Sequence, residues 1–329
     1  MTYSSGGLIQ ATDYNGFVST TSGANVNDLW GTGATDKGYG QTALSTVSAA
    51  GTVTATQWAS LVNTITSMAS HQGTSITSRT APTTGDTITI LSNLNTDLTN
   101  LTTNRGNAAA SGSQYTAWTG TSGKTTATGS GSTPWTITFT HTITWTSAAA
   151  ARYFWNAGGL VKWQVGKSST GTLADTEWND LASTLCGSIF ISGRVNSAAQ
   201  TIGGTSYTGT TKSGGTGTPT VLATTTGWYQ LLTTDTSLYQ QYADTSPYTG
   251  QYILLQAKTA GTGTQLVLTT TWVDPGGSVP GSTDDISGGT APSGATFGTA
   301  PATIVTYYPP ATTYLSNSWG TPTVAATTT

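Results

Sequence analysis

From Trp135 to Trp145 the odd positions read Trp135, Ile137, Phe139, His141, Ile143 and Trp145, and every even position between them is Thr. A period of two sustained over that run fits a strand that buries one face and wets the other, because successive side chains of an extended backbone point to opposite sides. β-branched Thr suits a pleated surface and tolerates water, so the Thr row is the outer one. A second run places Leu266, Leu268, Thr270 and Trp272 on one side and Val267, Thr269, Thr271 and Val273 on the other, the pattern of a strand covered on both faces. Further strands are expected at 188–192, 221–226, 228–232, 251–258 and 265–273. Arg152-Tyr153-Phe154-Trp155 and Leu160 to Val165 read as two more, joined by a tight turn at Asn156-Ala157-Gly158-Gly159.

Composition narrows the function classes. Only 7% of the 329 residues are Asp, Glu, Lys or Arg, against roughly 25% in an ordinary soluble domain. Ten Lys and Arg without a basic run cannot supply the phosphate contacts that dominate nucleic-acid affinity, so no nucleic-acid partner is expected. No stretch is long and apolar enough for membrane insertion. The single Cys186 excludes a disulfide framework within the chain, and His71 and His141 are too few for a zinc constellation. Hydrophobic residues still reach 35%, with 11 Trp and 14 Tyr, so the chain has the apolar surface to fold.

The residues ahead of the strands follow another period. Thr54-Ala55-Thr56-Gln57 has capping-box spacing, and Trp58, Leu61, Val62, Ile65 and Met68 recur at steps of three and four before His71-Gln72-Gly73. A helix should begin at Thr54 and stop at Gly73. A second helix is expected from about Thr87 to Asn104, where Leu91, Leu94, Leu98 and Leu101 make a seam with coiled-coil spacing. Its Ser, Asn, Thr and Asp are mediocre helix formers, so the seam needs cover from the first helix or from another subunit. We assign it to a subunit interface, together with Tyr314 and Trp319 of the C-terminal segment. Residues 106 to 133 read as a linker, and Thr176 to Leu185 as a short helix. The last 55 residues, rich in Pro, Gly, Thr and Ser, read as an arm that gains order on a neighbour.

Candidate chemistry is sparse. Gly120-Thr121-Ser122-Gly123-Lys124-Thr125 lacks the first glycine of a P-loop, since Trp118 stands there, and reads as linker. His141 shares the inner face with Ile and Phe, which favours a hydrogen-bonded core residue, and His71 falls where a cation caps a helix. Glu177 and Asp180 flank Trp178 and could face one groove, but they are also ordinary partners of a helix start. Asp284-Asp285 could contribute to a cation site and more commonly forms a solvated turn. No catalytic residue, cofactor or metal is assigned, and enzymatic activity is not expected.

Several segments carry a resemblance. Ala11-Thr12-Asp13-Tyr14-Asn15-Gly16-Phe17, Asn27-Asp28-Leu29-Trp30-Gly31, Gly38-Tyr39-Gly40-Gln41, Gln57-Trp58-Ala59-Ser60-Leu61 and His71-Gln72-Gly73-Thr74 resemble virion structural proteins of tailed bacteriophages, especially tail-fibre-like or neck-associated proteins of phages of aquatic bacteria. Ala151-Arg152-Tyr153-Phe154-Trp155-Asn156-Ala157-Gly158-Gly159 is similar to the R-Y-F-F-N-x-G-G signature of that group, with Trp155 in place of the second Phe. Tyr314-Leu315-Ser316-Asn317-Ser318-Trp319-Gly320 is similar to its C-terminal ending. The resemblance implies a particle component and brings no catalytic residues with it.

The expectation is a mainly β protein in three parts: a helical attachment or oligomerisation region over 1–110, a β-sandwich-like body over 111–274 and an extended arm over 275–329. Its role would be structural, in a tail fibre, neck or collar, or baseplate of a virion assembled in the host cytoplasm. Its partners would be copies of itself, with a trimer one option, and other virion proteins. A receptor-binding adhesin that stacks host surface glycans on exposed aromatics and a capsid decoration protein are the alternatives.

Overall fold

The computed structural model describes residues 10–19, 24–33, 37–86, 93–107, 118–124, 134–193, 200–202, 205–207, 209–276 and 297–329. The N-terminal part carries helices α1 (Ala11–Val18), α2 (Val26–Trp30), α3 (Ala55–Gln72) and α4 (Leu94–Thr103). Then follow β1 (Trp118–Gly123), β2 (Trp135–Thr144), α5 (Ala148–Asn156), β3 (Leu160–Gly166) and α6 (Leu173–Asn179), which runs into a π-helical turn over Asp180–Leu185. The chain continues through β4 (Ser188–Ser192), β5 (Gln200–Ile202), β6 (Thr205–Tyr207), β7 (Thr210–Ser213), β8 (Val221–Leu222), β9 (Thr236–Tyr242), β10 (Tyr252–Ala260), β11 (Gln265–Asp274), β12 (Ala302–Tyr308) and β13 (Thr323–Thr328).

The fold is mainly β. Two antiparallel sheets have the strand orders β1-β12-β3-β4-β7 and β13-β2-β11-β10-β9-β8, and β5 and β6 form a separate ribbon. The alternation in β2 becomes a burial alternation, with Trp135, Ile137, Phe139, His141 and Ile143 inside and the Thr row toward solvent. Each large apolar side chain so buried is worth about 1.5–3 kcal/mol relative to leaving it wet. Between the sheets, the indole N–H of Trp163 on β3 donates to Thr270 Oγ1 on β11 at 2.8 Å. The sides are tied as well: Ser122 of β1 shares a hydroxyl hydrogen bond of 2.5 Å with Thr328 of β13. On the other side, Thr210 Oγ1 of β7 donates to the Thr226 carbonyl at 2.8 Å.

Helix α3 starts and stops where its sequence places it. Thr54 Oγ1 accepts from Gln57 N–H at 3.3 Å, Gln57 Oε1 accepts from Thr54 N–H at 2.8 Å, and Gly73 closes the helix with φ +64°. Its buried face, Trp58, Leu61, Val62, Ile65 and Met68, belongs to one apolar core that runs without a break through α4, α5 and the interior of the sandwich. The expected boundary near residue 110 is therefore no gap in the packing.

Several expectations are corrected. Arg152 to Trp155 lies in α5, where Ser147 caps by accepting from Ala150 N–H at 3.0 Å. The alanines after that cap favour helix, and Phe154, Trp155, Ala150 and Ala151 bury one face. Trp228–Gln230 is a 3-10 turn instead of a strand, and part of the expected linker is β1. The supposed arm is integral to the fold: β12, buried at Ala302 to Tyr307, lies between β1 and β3, and β13 pairs with β2. Flanking prolines and glycines set the composition of that segment, but Ile304, Val305, Thr306 and Tyr307 are strong strand formers.

The leucine seam is covered from within. Leu94, Leu98 and Leu101 are fully buried in the chain's own core on the side facing α3, and Trp319 is 1% exposed. This corrects their assignment to a subunit interface, since steps of three and four describe any helix with one apolar face. Leu91 lies outside the described residues, and Tyr314 is 42% exposed.

Candidate functional site

Apart from buried ion pairs, two polar constellations stand out among the described residues. One is a junction between the N-terminal helical part, α5 and the C-terminal segment. The other is a group of three carboxylates beside α6.

The junction is built by amide side chains that bind backbone as a β-strand would. Asn15 Nδ2 donates to the Val47 carbonyl at 2.7 Å while its Oδ1 accepts from Val47 N–H at 2.8 Å. Asn27 does the same with Leu44, at 2.9 and 2.8 Å. Gln41 repeats the arrangement with Ser316, at 2.9 and 2.7 Å, across 275 positions of sequence. Residues 41–48 have neither helix nor strand, so these bonds answer where their backbone groups find partners away from water.

Beside the Gln41 clip the contacts converge on Tyr39 and α5. Tyr39 Oη accepts from Gln72 Nε2 at 2.8 Å and donates to the Arg105 carbonyl at 2.7 Å, while Ser318 Oγ donates to the Tyr39 carbonyl at 2.6 Å. Asn156 Nδ2 donates to the Gly38 carbonyl at 2.9 Å. His71 Nε2 lies 2.9 Å from the Ala157 carbonyl, and because a carbonyl can only accept, that nitrogen carries the proton. Gly40, at φ +71°, leaves room for the Tyr153 ring, which a Cβ would meet at 2.3 Å.

His71 is thus a neutral core residue and not a cationic cap. Burial lowers its pKa to about 4 against the opposing pull of the Ala157 carbonyl. His141 is also fully buried and lowered to about 4 by burial, and among the described residues neither of its ring nitrogens has a hydrogen-bond partner. The expectation of a hydrogen-bonded core histidine is corrected there.

Beside α6, one carboxylate oxygen each from Glu177, Asp180 and Asp244 lies within 4.8 Å of the others. Glu177 is shifted upward by burial and by the charges of Asp180 and Asp244, against a hydrogen bond from the Thr245 side chain that lowers it. Such a group favours a proton or a hard cation. The sequence brought Glu177 and Asp180 together; Asp244, from the loop after β9, carried no sequence sign of its proximity. Asp284 and Asp285 lie outside the described residues. Gly120 to Gly123 lies in β1, paired with β12, and is no phosphate loop.

The remaining buried charges hold structure. The ammonium of Lys167 contacts Asp175 Oδ1 with both side chains out of water, and Thr170 Oγ1 donates to Asp175 Oδ2 at 2.8 Å. Burial pulls Lys167 down against its partner. It also pushes Asp175 up, but the bonds from Lys167 and Thr170 outweigh that and hold the carboxyl below its usual range. The pair fastens the start of α6 to the end of β3. Cys186 is fully buried, which pushes its thiol up to about 12.

No protein-family model, curated protein or solved structure matches the chain.

Proposed function

We propose that this chain is a structural subunit of a tailed-bacteriophage particle, in a tail fibre, neck, collar or baseplate, and that it works through contacts with copies of itself and with other virion proteins. The observation that carries the reading is the junction. The segments through which the sequence resembles phage virion proteins are spread from Ala11 to Gly320, yet Tyr39, Gln41, His71, Asn156, Ser316 and Ser318 meet there as struts, while Asn15 and Asn27 clip residues 44–47 within the N-terminal part. What the resembling segments have in common is scaffold work, the need of a particle component. A sparsely charged exterior with Leu173 79% and Leu232 64% exposed supports a surface that meets other protein.

The test is the particle itself. Mass spectrometry of purified virions should find the chain in many copies, and an antibody against it should label the tail, neck or baseplate in electron micrographs. Label on the capsid shell would replace this role with decoration, and absence from purified particles would remove the reading. The exposed Tyr314 favours a second reading, an adhesin that stacks host glycans. That reading requires binding on a glycan array that Tyr314→Ala abolishes.

A further inference from the structure

The geometry points to exchange of β13 between copies: the C-terminal strand of one subunit completes the six-stranded sheet of its neighbour by pairing with that neighbour's β2. This deepens the structural-subunit reading and rests on it.

The two C-terminal strands are held very differently. In β12 every residue from Ala302 to Tyr307 is buried, whereas no residue of β13 is: Val324 and Thr328 are half-buried, and Thr323, Ala325, Ala326 and Thr327 are exposed. The chain is anchored up to the start of β13. Leu315 and Trp319 sit in the core, Gln41 grips Ser316 and Pro322 is buried. From Thr323 onward the chain is held by its pairing with β2, by the hydroxyl bond between Thr328 and Ser122 of β1, and by the half-buried Val324 against the core.

The site that β13 fills needs a strand. Phe139, His141 and Ile143 of β2 are fully buried with β13 in place, and β2 without it would present an open row of N–H and C=O groups. A strand from a second copy supplies the same Thr, Val and Ala residues and the same bonds, so the two pairings differ mainly in the entropy of bringing copies together. No side chain in Thr323-Val324-Ala325-Ala326-Thr327-Thr328-Thr329 is charged and none of these residues is proline, so the side chains do not oppose edge pairing. The reach is short. All of 323–328 is taken up in pairing with β2, so at about 3.3 Å per residue no span is left over, and the recipient's Thr144 must lie directly beside the donor's anchored Pro322.

The register supplies the test. Thr140 of β2 lies opposite Thr327 of β13, on the outer face. In a Thr140→Cys/Thr327→Cys chain the thiols can be oxidised at about 10 μM and at about 1 mM, the latter near the effective concentration of a short tether. The products are then separated under non-reducing denaturing conditions, and native mass is measured in parallel. Exchange expects covalent multimers that increase with concentration and match the native oligomer in size. A product that denatures to single chains at both concentrations, bonded or not, overturns exchange. If the native mass is still that of an oligomer, the subunit reading stands without it; if the native mass is that of one chain as well, contact between copies falls too. As an independent arm, a chain ending at Pro322 should bind a synthetic 323–329 peptide, and the same peptide with Ala326→Pro, which breaks pairing, should not bind.

Discussion

The imidazole of His71 donates to the carbonyl of Ala157 at 2.9 Å, linking the last turn of α3 to the end of α5 across 86 positions of sequence. The bond requires a proton on Nε2 but not a charge, and the surrounding core opposes the charge. His141, between the sheets, is opposed in the same way without a bond. In the folded chain both titrate near 4, against 6.5 when unfolded. With the folded value depressed, their contribution is complete above about pH 6.5 and is lost as pH falls toward 4. Each ring is worth about 3 kcal/mol over that window. Denaturant midpoints should therefore fall steeply between pH 7 and pH 4. His141→Leu, which removes two unpartnered buried nitrogens, should keep neutral-pH stability and flatten roughly half of that fall. An unchanged pH profile in the variant would dismiss the account.

Leu94→Asp separates two meanings of the leucine seam. A seam facing another subunit would give a folded, dissociated chain. The structure places Leu94 at 1% exposure inside the chain's own core, so the substitution buries an unpaired carboxylate. The expected result is loss of helical signal and cooperative unfolding at lower denaturant, and Leu94→Ala should cost about 2–5 kcal/mol. Circular dichroism with native mass decides, since a well-folded variant of reduced mass contradicts the packing.

How much of this was legible follows from the range of the interactions. Helix α3 and strands β2, β4, β10 and β11 were readable because caps and periodicity act within a few residues. Helix α5 was misread because Phe154 and Trp155 suit both periods, and the decision lay in Ser147 and the alanines before them. Strand β12 was missed because its partners, β1 and β3, are far away in sequence, and its proline flanks masked a short apolar run. The clips were invisible for the same reason: Gln41 carries no sign that Ser316 waits for it. At the acidic cluster, Glu177 and Asp180 were legible as helix neighbours, and Asp244 arrives through the fold.

The Lys167–Asp175 pair shows what a buried charge costs when left alone. Lys167→Met strands the carboxylate of Asp175 in a site without water and should destabilise by about 3–5 kcal/mol. Asp175→Leu alone should be similarly damaging. The combined Lys167→Met/Asp175→Leu chain should recover most of the loss, because an apolar pair of similar volume has no desolvation penalty to offset. Denaturant titration of the four proteins gives the coupling energy. Additive single effects, with no recovery in the double variant, would mean that the two groups act independently.

The clips make the sharpest demand on chemistry, because a single atom distinguishes Asn from Asp. Asn27 donates to the Leu44 carbonyl and accepts from the Leu44 N–H. Asn27→Ala removes both bonds and strands two backbone groups in a half-buried site, an expected loss of about 2–3 kcal/mol. Asn27→Asp keeps the shape and the acceptor but turns a second oxygen toward the Leu44 carbonyl, replacing an attraction by a repulsion. At neutral pH the aspartate should therefore be at least as damaging as alanine, although it is nearly isosteric with the native residue. Thermal or denaturant unfolding at pH 7 compares the three chains directly. If Asn27→Asp matched the native stability, the amide would be filling space and not holding backbone, and the same doubt would extend to Asn15 and Gln41.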